Sequence, residues 1–126
     1  MKKFSSSWIS SIQPRKQRKY RYNAPVHIKR KFLGSTLSKE LRKKHGIRSI
    51  SVVTGDKVLI MRGQYKKQEG KVDKVNVKEG KVFVTGAERD KKDGSKSMYP
   101  LNASNLMITE LNLNDKKRLK SKKSEE

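Results

Sequence analysis

Hydrophobic and polar residues alternate with a period of two in the second half of the chain. Val58 and Ile60 share one side of a short segment, as do Val82 and Val84. Because successive side chains of a β-strand point to opposite faces, this spacing predicts strands that bury one face. Together with short apolar runs bounded by turn residues, the pattern predicts five strands, at 57–62, 71–78, 81–85, 97–101 and 106–108.

Turn residues and a change of parity indicate how these strands fold. A glycine follows an acidic residue at Gly80 and at Gly94, a pair typical of tight hairpins. Val75 and Val77 agree in parity whereas Val72 does not, which predicts a β-bulge or a sharp bend. Four or five short strands with tight turns in about 60 residues favour a small barrel.

Two short helices are predicted before the strands. Ser38 is a suitable N-cap, Glu40 lies in the favourable first turn, and Gly46 stands where a left-handed residue ends a helix. Upstream, Ile28 and Phe32 are four residues apart, the spacing of one helical turn that packs on a neighbouring module.

Charge is concentrated at the N-terminal end of the chain. Of 126 residues, 33 are Lys or Arg and 12 are Asp or Glu, which gives a net charge of +21. Residues 1–50 hold 15 of the bases and a single acid, Glu40. Because a chain so charged repels itself unless a polyanion neutralises it, nucleic acid is the first partner to consider.

These trends divide the chain into four segments. They are a basic extended arm (1–24), a short helical segment that packs on the barrel (25–50), the barrel (51–110) and a charged tail expected to be disordered (111–126).

The arm contains the densest basic block of the chain. Segment 14–22, PRKQRKYRY, places five bases and two tyrosines in nine positions. Its bases suit phosphates, and Tyr20 and Tyr22 can stack on exposed nucleobases. We expect residues 1–22 to be disordered in the free protein and ordered on RNA. Phe4 and Trp8 suit either an anchor on protein or a stack on a base.

Catalysis and membrane insertion are not expected. The chain has no Cys, and its two histidines, His27 and His45, adjoin basic residues rather than an orienting carboxylate. The acids are scattered over predicted turns without metal-ligand spacing, and no run of 18 apolar residues occurs. The acid-free, Ser-rich start has the composition of a transit peptide. Pro14 and Pro25 interrupt any amphipathic helix there, however, so we expect the arm to belong to the working protein.

A recognisable motif lies at the start of the predicted barrel. The sequence GDKV at 55–58, followed by Gly63, Lys66 and Gly70, resembles the KOW motif, a strand–loop–strand unit of SH3-like barrels in ribosomal proteins and transcription elongation factors. Many KOW loops have Lys-Gly where this chain has Lys66-Lys67, and Lys adopts a positive φ less readily than Gly.

Three segments in order narrow the resemblance to one family. PRKQRKYRYNAP (14–25), HIKRKFLGSTLSKELRKKHGIRS (27–49) and RGQYKKQEGKV (62–72) closely resemble universal large-subunit ribosomal protein family twenty-four, in its archaeal and eukaryotic branch. The resemblance covers residues 4–110 and implies a mainly β protein, with an SH3-like barrel carrying the KOW motif, preceded by a basic extended arm and one or two short helices.

The resemblance also implies a function and a set of partners. Members of the family bind the 5′ domain of large-subunit ribosomal RNA, act early in assembly and lie near the nascent-chain exit of the cytoplasmic ribosome. Neighbouring ribosomal proteins and factors at the exit are therefore expected partners, and no cofactor or metal is expected. The candidate RNA-binding residues are Arg15, Lys16, Arg18, Lys19, Tyr20, Arg21, Lys29, Arg30, Lys31, Arg42, Lys43, Lys44, Arg62, Gly63, Lys66 and Lys67.

Two other classes of binding protein share some of these features. One is a KOW-containing RNA-binding factor associated with transcription, although the basic segment of 50 residues before the motif is too short for the α/β domain that an elongation factor carries. The other is a basic chromatin-type DNA binder, although the predicted helix after Ser38 is short and offers phosphate-type bases rather than base-reading side chains.

Overall fold

The computed structural model of this chain describes Phe4 and residues 10–119. Its helical elements are α1 (Pro14–Asn23), α2 (Val26–Lys29), a 3₁₀ turn (Arg30–Leu33), α3 (Lys39–His45) and a second 3₁₀ turn (Ala103–Asn105). Its strands are β1 (Gly34–Leu37), β2 (Ser49–Ser51), β3 (Lys57–Ile60), β4 (Glu69–Asn76), β5 (Lys81–Val84), β6 (Glu88–Asp90), β7 (Lys96–Met98), β8 (Leu101–Asn102) and β9 (Leu106–Glu110).

Most of the strands belong to one sheet. Its strand order is β2-β1-β9-β3-β4-β5-β8, and β6 and β7 form a separate hairpin. Strands β1 and β9 are parallel, and the other paired strands are antiparallel. The prediction of a small mainly β domain is confirmed. In the part of the chain that the structure describes, the two end strands of this sheet, β2 and β8, do not pair with each other. The predicted barrel is therefore an open sheet.

Alternate side chains of the strands form the core. Val58 and Ile60 of β3 and Val82 and Val84 of β5 are buried, as the period of two predicts. Strands β1 and β9 add further side chains. The largest fully buried hydrophobic side chains are Leu37, Val58, Ile60, Val72, Val82, Val84, Leu106 and Ile108. Because burying each such side chain contributes about 1.5–3 kcal/mol, the paired strands provide most of the hydrophobic stabilisation.

The predicted irregularity of the fourth strand is a β-bulge. Val72 pairs with Val84 and Lys74 pairs with Phe83, so the register shifts and Asp73 is the extra residue. The bulge lets Val72 point into the core although its parity differs from that of the valines that follow. The change of parity in the sequence therefore identified the bend correctly.

The helix after Ser38 is confirmed with both of its predicted ends. The Ser38 hydroxyl accepts a hydrogen bond from the Leu41 amide at 3.4 Å. At the other end Gly46 has φ +70°, and its amide donates to the Arg42 carbonyl at 2.8 Å. The helical turn predicted around Ile28 is likewise present, as α2 and the Arg30–Leu33 turn.

The two predicted hairpin glycines also lie in tight turns. Gly80 has φ +67° between β4 and β5, and Gly94 has φ +85° between β6 and β7. In the second turn, the Ser95 hydroxyl and amide donate to the Asp93 carboxylate at 2.6 and 3.0 Å. The hydrogen bond from the Ser95 hydroxyl, and to a smaller extent that from the Ser95 amide, stabilises the ionised carboxylate. Together they hold the pKa of Asp93 below its ordinary value.

Residues 14–23 form a helix, in contrast to the extended arm that the charge run suggested. Pro14 occupies the first turn, where its missing amide hydrogen costs nothing, and Pro25 follows the helix end. The Lys, Arg and Gln residues between these two prolines are good helix formers. Like charges three or four residues apart, however, destabilise a helix in isolation. Helix α1 therefore depends on packing, which half-buried Tyr20 provides through its contacts with Phe4 and Phe32.

The segment after β9 also differs from the prediction of a disordered tail over 111–126. Arg118 is only 9% exposed, and its guanidinium forms a two-pronged ion pair with Asp56 at 2.7 and 2.6 Å. The same guanidinium donates to the carbonyls of Asn112 and Ser51 at 2.8 and 3.0 Å. Residues 111–119 are thus part of the fold, and 120–126 lie outside the described residues.

Asp56 is the centre of this arrangement. Its side chain is fully buried and also accepts hydrogen bonds from the amides of Val53 at 3.0 Å and Asn112 at 2.8 Å. A buried carboxylate is tolerated when it is paired and hydrogen-bonded on both oxygens, as it is here. Asp56 is therefore more than a turn residue, since it joins the start of β3 to the segment after β9.

Candidate nucleic-acid interface

Helix α1 presents a face of cations without an acid. Arg15, Arg18 and Lys19 are three or four residues apart, so they lie on one side of the helix together with Tyr22. All five basic side chains of the helix are exposed, and Tyr22 is 83% exposed. A helix side with several cations and an exposed ring can contact phosphates along a backbone and stack on an unpaired base.

Tyr20 has a different position from the one expected of a base-stacking residue. It is half-buried, and its ring lies 5.0 Å from the ring of Phe4 and 6.1 Å from the ring of Phe32, measured between centroids. Phe4 therefore acts as an intramolecular anchor, and Trp8 lies outside the described residues. The contacts of Tyr20 fix α1 on the Arg30–Leu33 turn, and they leave Tyr22 as the exposed aromatic side chain of the helix.

The next cluster of candidates follows directly along the chain. Arg30 and Lys31 are exposed and Lys29 is half-buried. The Ser51 hydroxyl donates to the Arg30 carbonyl at 3.4 Å, which ties this turn to β2. The packing of Tyr20 on Phe32 brings these cations next to those of α1, so the first two predicted blocks form one continuous basic surface.

Of the three candidate residues in helix α3, two are exposed cations and one is partly engaged. Lys43 and Lys44 are exposed in the last turn of the helix. Arg42 is half-buried, and its Nε donates to the Leu37 carbonyl at 2.8 Å. Arg42 thus holds the helix against β1 as well as contributing charge, whereas Lys43 and Lys44 are open to a polyanion.

The loop between β3 and β4 is a tight, braced structure. The Lys67 amide donates to the Ile60 carbonyl at 2.8 Å, and the Ile60 amide donates to the Gln68 carbonyl at 2.9 Å. Two residues therefore oppose Ile60, with Lys67 in the left-handed conformation at φ +71°, as in a bulge that usually contains glycine. The Tyr65 hydroxyl donates to the Glu88 carbonyl at 2.7 Å and fixes the other side of the loop. Arg62, Gly63, Lys66 and Lys67 are exposed on it.

Replacing Lys67 with Gly is expected to stabilise the fold. Among the described residues other than glycine, Lys67 alone has a positive φ. The left-handed conformation costs such a residue roughly 1–2 kcal/mol, which glycine avoids. Part of this stabilisation is offset, because glycine has more conformational freedom to lose when the chain folds. We expect Lys67→Gly to raise the free energy of unfolding by about 0.5–1 kcal/mol in urea denaturation.

Lys66→Gly provides the matched control for this prediction. It removes the same charge from the neighbouring position, which has no positive φ to relieve. It should therefore leave stability unchanged or lower it. Equal effects of the two substitutions would contradict the role assigned to the backbone of Lys67.

The motif glycine at the start of β4 serves close packing rather than a positive φ. A Cβ at Gly70 would overlap the Thr85 carbonyl oxygen and lie 2.6 Å from Cγ1 of Val84. The strands are held together at this point, because the Lys71 amide donates to the Thr85 hydroxyl at 3.1 Å. The KOW-like sequence thus needs glycine here because β5 approaches the backbone.

Replacing Gly70 with Ala is expected to destabilise the protein by about 1–3 kcal/mol, since the backbone of β5 must move to admit the methyl group. The control is Gly34→Ala, where the nearest atom to the added Cβ is 3.9 Å away. That change should be neutral or stabilising by up to about 1 kcal/mol. Thermal unfolding of both variants would test the difference, and an unchanged Gly70→Ala midpoint would refute it.

Two groups of residues are important in the structure but were not identified from the sequence as functional. Asp56 and Arg118 are 62 positions apart and give no local signal. Lys78 and Lys81 flank a hairpin turn, and their nearness to α1 arises only from the folded chain.

The described part of the chain contains neither a metal-binding cluster nor a membrane-spanning helix. Residues 4 and 10–119 contain no cluster of three or more His, Cys, Asp or Glu that could hold a metal ion. His27 is exposed and His45 is half-buried, each on a basic segment. None of the described helices is long and apolar enough to cross a membrane. The basic segments described above instead present positive charge and exposed aromatic side chains.

Comparison with known proteins agrees with this picture. Residues 11–123 match the model of a protein family described as the eukaryotic L26 and archaeal L24 ribosomal proteins. The chain is 50% identical over 111 residues to large ribosomal subunit protein uL24 of Methanosarcina barkeri, covering 88% of this chain and 96% of that protein. It is 53% identical over 107 residues to large ribosomal subunit protein uL24 of Methanocorpusculum labreanum, covering 85% of this chain and 88% of that protein. The chain therefore belongs to the ribosomal protein family of eukaryotic L26 and archaeal L24, whose members are structural proteins and not enzymes.

Proposed function

We propose that this chain, as a structural protein of the large ribosomal subunit, binds the 5′ domain of large-subunit ribosomal RNA and supports early subunit assembly. The observation that carries the proposal is α1, a helix with five exposed cations and no acid that is anchored to the domain through Tyr20. Because its like charges repel one another, such a helix is stabilised by a polyanion. Family membership and the names of both relatives support a ribosomal location.

The two kinds of basic surface have different tasks in this proposal. Helix α1, with Arg30 and Lys31, neutralises phosphates and draws RNA helices together, which gives affinity with little sequence preference. The loop that carries Arg62 and Lys66 is held by backbone hydrogen bonds and by Tyr65, so it loses little entropy on binding. A rigid loop selects RNA of matching shape, because folded RNA is recognised largely by shape.

The proposed partners follow from the same assignment. They are large-subunit ribosomal RNA, neighbouring proteins of the subunit, and factors that act at the nascent-chain exit of the cytoplasmic ribosome. We propose no cofactor. Membership of a ribosomal protein family favours this reading over a transcription-associated KOW factor. A chromatin-type DNA binder is disfavoured by α3, which is seven residues long and engages Arg42 with its own domain.

Binding to transcribed ribosomal RNA fragments tests the proposal. The full chain should bind the 5′ domain of large-subunit RNA more tightly than a 3′-terminal fragment of equal length, at the same salt concentration and in the presence of competitor RNA. Equal affinity for the two fragments would contradict the assignment to the 5′ domain. Filter binding or fluorescence anisotropy gives the required dissociation constants.

A further inference from the structure

A groove of about 410 Å³ lies between α1 and the sheet. Arg21 of α1 and Lys29 and Phe32 of the next two helical elements line it. Lys78, in the turn between β4 and β5, and Lys81, at the start of β5, line it as well. Such a volume lies within the range of about 300–1,000 Å³ that is typical of sites for small molecules or single groups. The groove is therefore large enough for a group the size of a nucleotide.

The charges of the groove favour an anion. Arg21, Lys29, Lys78 and Lys81 line it together with a single acid, Glu79. The amino group of Lys81 is held at the groove, since it donates to the Asn102 side chain at 2.9 Å. Lys29 and Lys81 are half-buried, so their charges are screened less by solvent than those of freely exposed lysines.

The aromatic residue of the groove is open to a ligand. Phe32 is 42% exposed, although its neighbour Leu33 is almost completely buried. Tyr20 packs on it at 6.1 Å between centroids, and the Arg21 guanidinium lies over the ring, 6.0 Å from its centroid. Packing in the core thus accounts for only part of the ring. An exposed ring beside several cations suits a ligand with both a flat base and a phosphate, rather than a simple anion.

We propose that this groove holds a single unpaired RNA nucleotide, with its base against Phe32 and its phosphates near Arg21, Lys29, Lys78 and Lys81. The inference rests on the proposed RNA-binding function. It extends that function, because most phosphate contacts leave every nucleotide stacked, whereas binding in the groove requires one nucleotide to be unstacked. The groove makes the protein selective for RNA with a bulged or extruded nucleotide.

Three RNA hairpins with the same stem test this inference. One is fully paired, one has a single unpaired nucleotide, and one has an abasic residue at the unpaired position. The bulged and abasic hairpins carry the same phosphates, so their difference isolates the base. Fluorescence anisotropy with the full chain should show about fivefold or greater preference for the base-containing bulge, the scale of one base–aromatic stack.

Two variants assign that preference to Phe32. Phe32→Leu keeps an apolar side chain but removes the ring, and it should abolish the preference for the bulged over the abasic hairpin. Phe83→Leu is the control, because it makes the same substitution at a half-buried aromatic residue of β5 that does not line the groove. It should leave the preference unchanged. A preference that survives Phe32→Leu would overturn the inference.

A further variant covers the case in which Phe32→Leu impairs folding. Lys78→Gln changes an exposed side chain at the groove. It should lower the salt dependence of binding by about 0.7–0.9 for the bulged and abasic hairpins and not for the paired one. If unmodified protein binds bulged and abasic hairpins equally, the groove inference fails while RNA binding stands. If it binds no hairpin at low salt, the proposed function itself fails.

Discussion

Replacing Asp56 with Ala is expected to lower the free energy of unfolding by about 3–5 kcal/mol, because it leaves the guanidinium of Arg118 buried without its counter-charge. The same change removes the acceptor for the amides of Val53 and Asn112. The aspartate joins the start of β3 to the segment after β9, so its loss should also release that segment. We expect faster proteolysis within 112–119 together with the lower stability.

The control for this result is Asp90→Ala, since Asp90 is an exposed acid of β6. That change should alter stability by no more than about 0.5 kcal/mol. Urea denaturation of both variants at one pH measures the difference. If Asp56→Ala unfolds within about 1 kcal/mol of the unmodified protein, the ion pair does not hold the C-terminal segment as described.

Neutralising the basic residues of α1 is expected to have the largest effect on RNA binding. Changing Arg15, Lys16, Arg18, Lys19 and Arg21 to Gln removes five exposed charges and keeps good helix formers. Each lost phosphate contact lowers the magnitude of the slope of log affinity against log salt by about 0.7–0.9, so this magnitude should fall by about 4. The loss should affect cognate and unrelated RNA alike, because phosphate contacts carry no sequence information.

A matched variant separates position from net charge. Five exposed lysines elsewhere in the structure can be changed to Gln, namely Lys74, Lys91, Lys92, Lys96 and Lys116. The net charge falls by the same amount, yet the salt slope should change little. A third variant has Arg62, Lys66 and Lys67 neutralised. It should reduce the preference for correctly folded RNA, and it should lower the magnitude of the salt slope less than the α1 variant does. Equal slopes for the α1 variant and the unmodified protein would refute the electrostatic role of α1.

Features of the fold with local signals could be predicted from the sequence. Ser38 caps the start of helix α3 and Gly46 caps its end. Each cap bonds to a backbone group within one turn of the helix terminus. The bulge at Asp73 follows from the parity of the valines around it. The hairpin glycines indicate turns because a positive φ suits glycine, whichever strands the turn connects.

Features that depend on distant contacts could not be predicted in the same way. Arg118 is one cation in a charged segment, and its burial depends on Asp56, which reads as a turn residue in the sequence. The basic block 14–22 suggested an extended arm because charge dominates its composition, whereas its helix depends on Tyr20 finding Phe32. Tyr20 and Tyr22 are equivalent in the sequence, and only the folded chain distinguishes an anchoring ring from an exposed one.

Quantitative recovery of this protein with ribosomal particles tests the central claim most directly. Ribosomes from the host cells would be dissociated into subunits, washed at moderate salt and separated by sedimentation, and the protein would be measured by mass spectrometry. The account predicts about one copy for each large subunit, in step with other large-subunit proteins, and almost none with the small subunit. Recovery mainly with RNA polymerase, with chromatin or in the unbound fraction would contradict it.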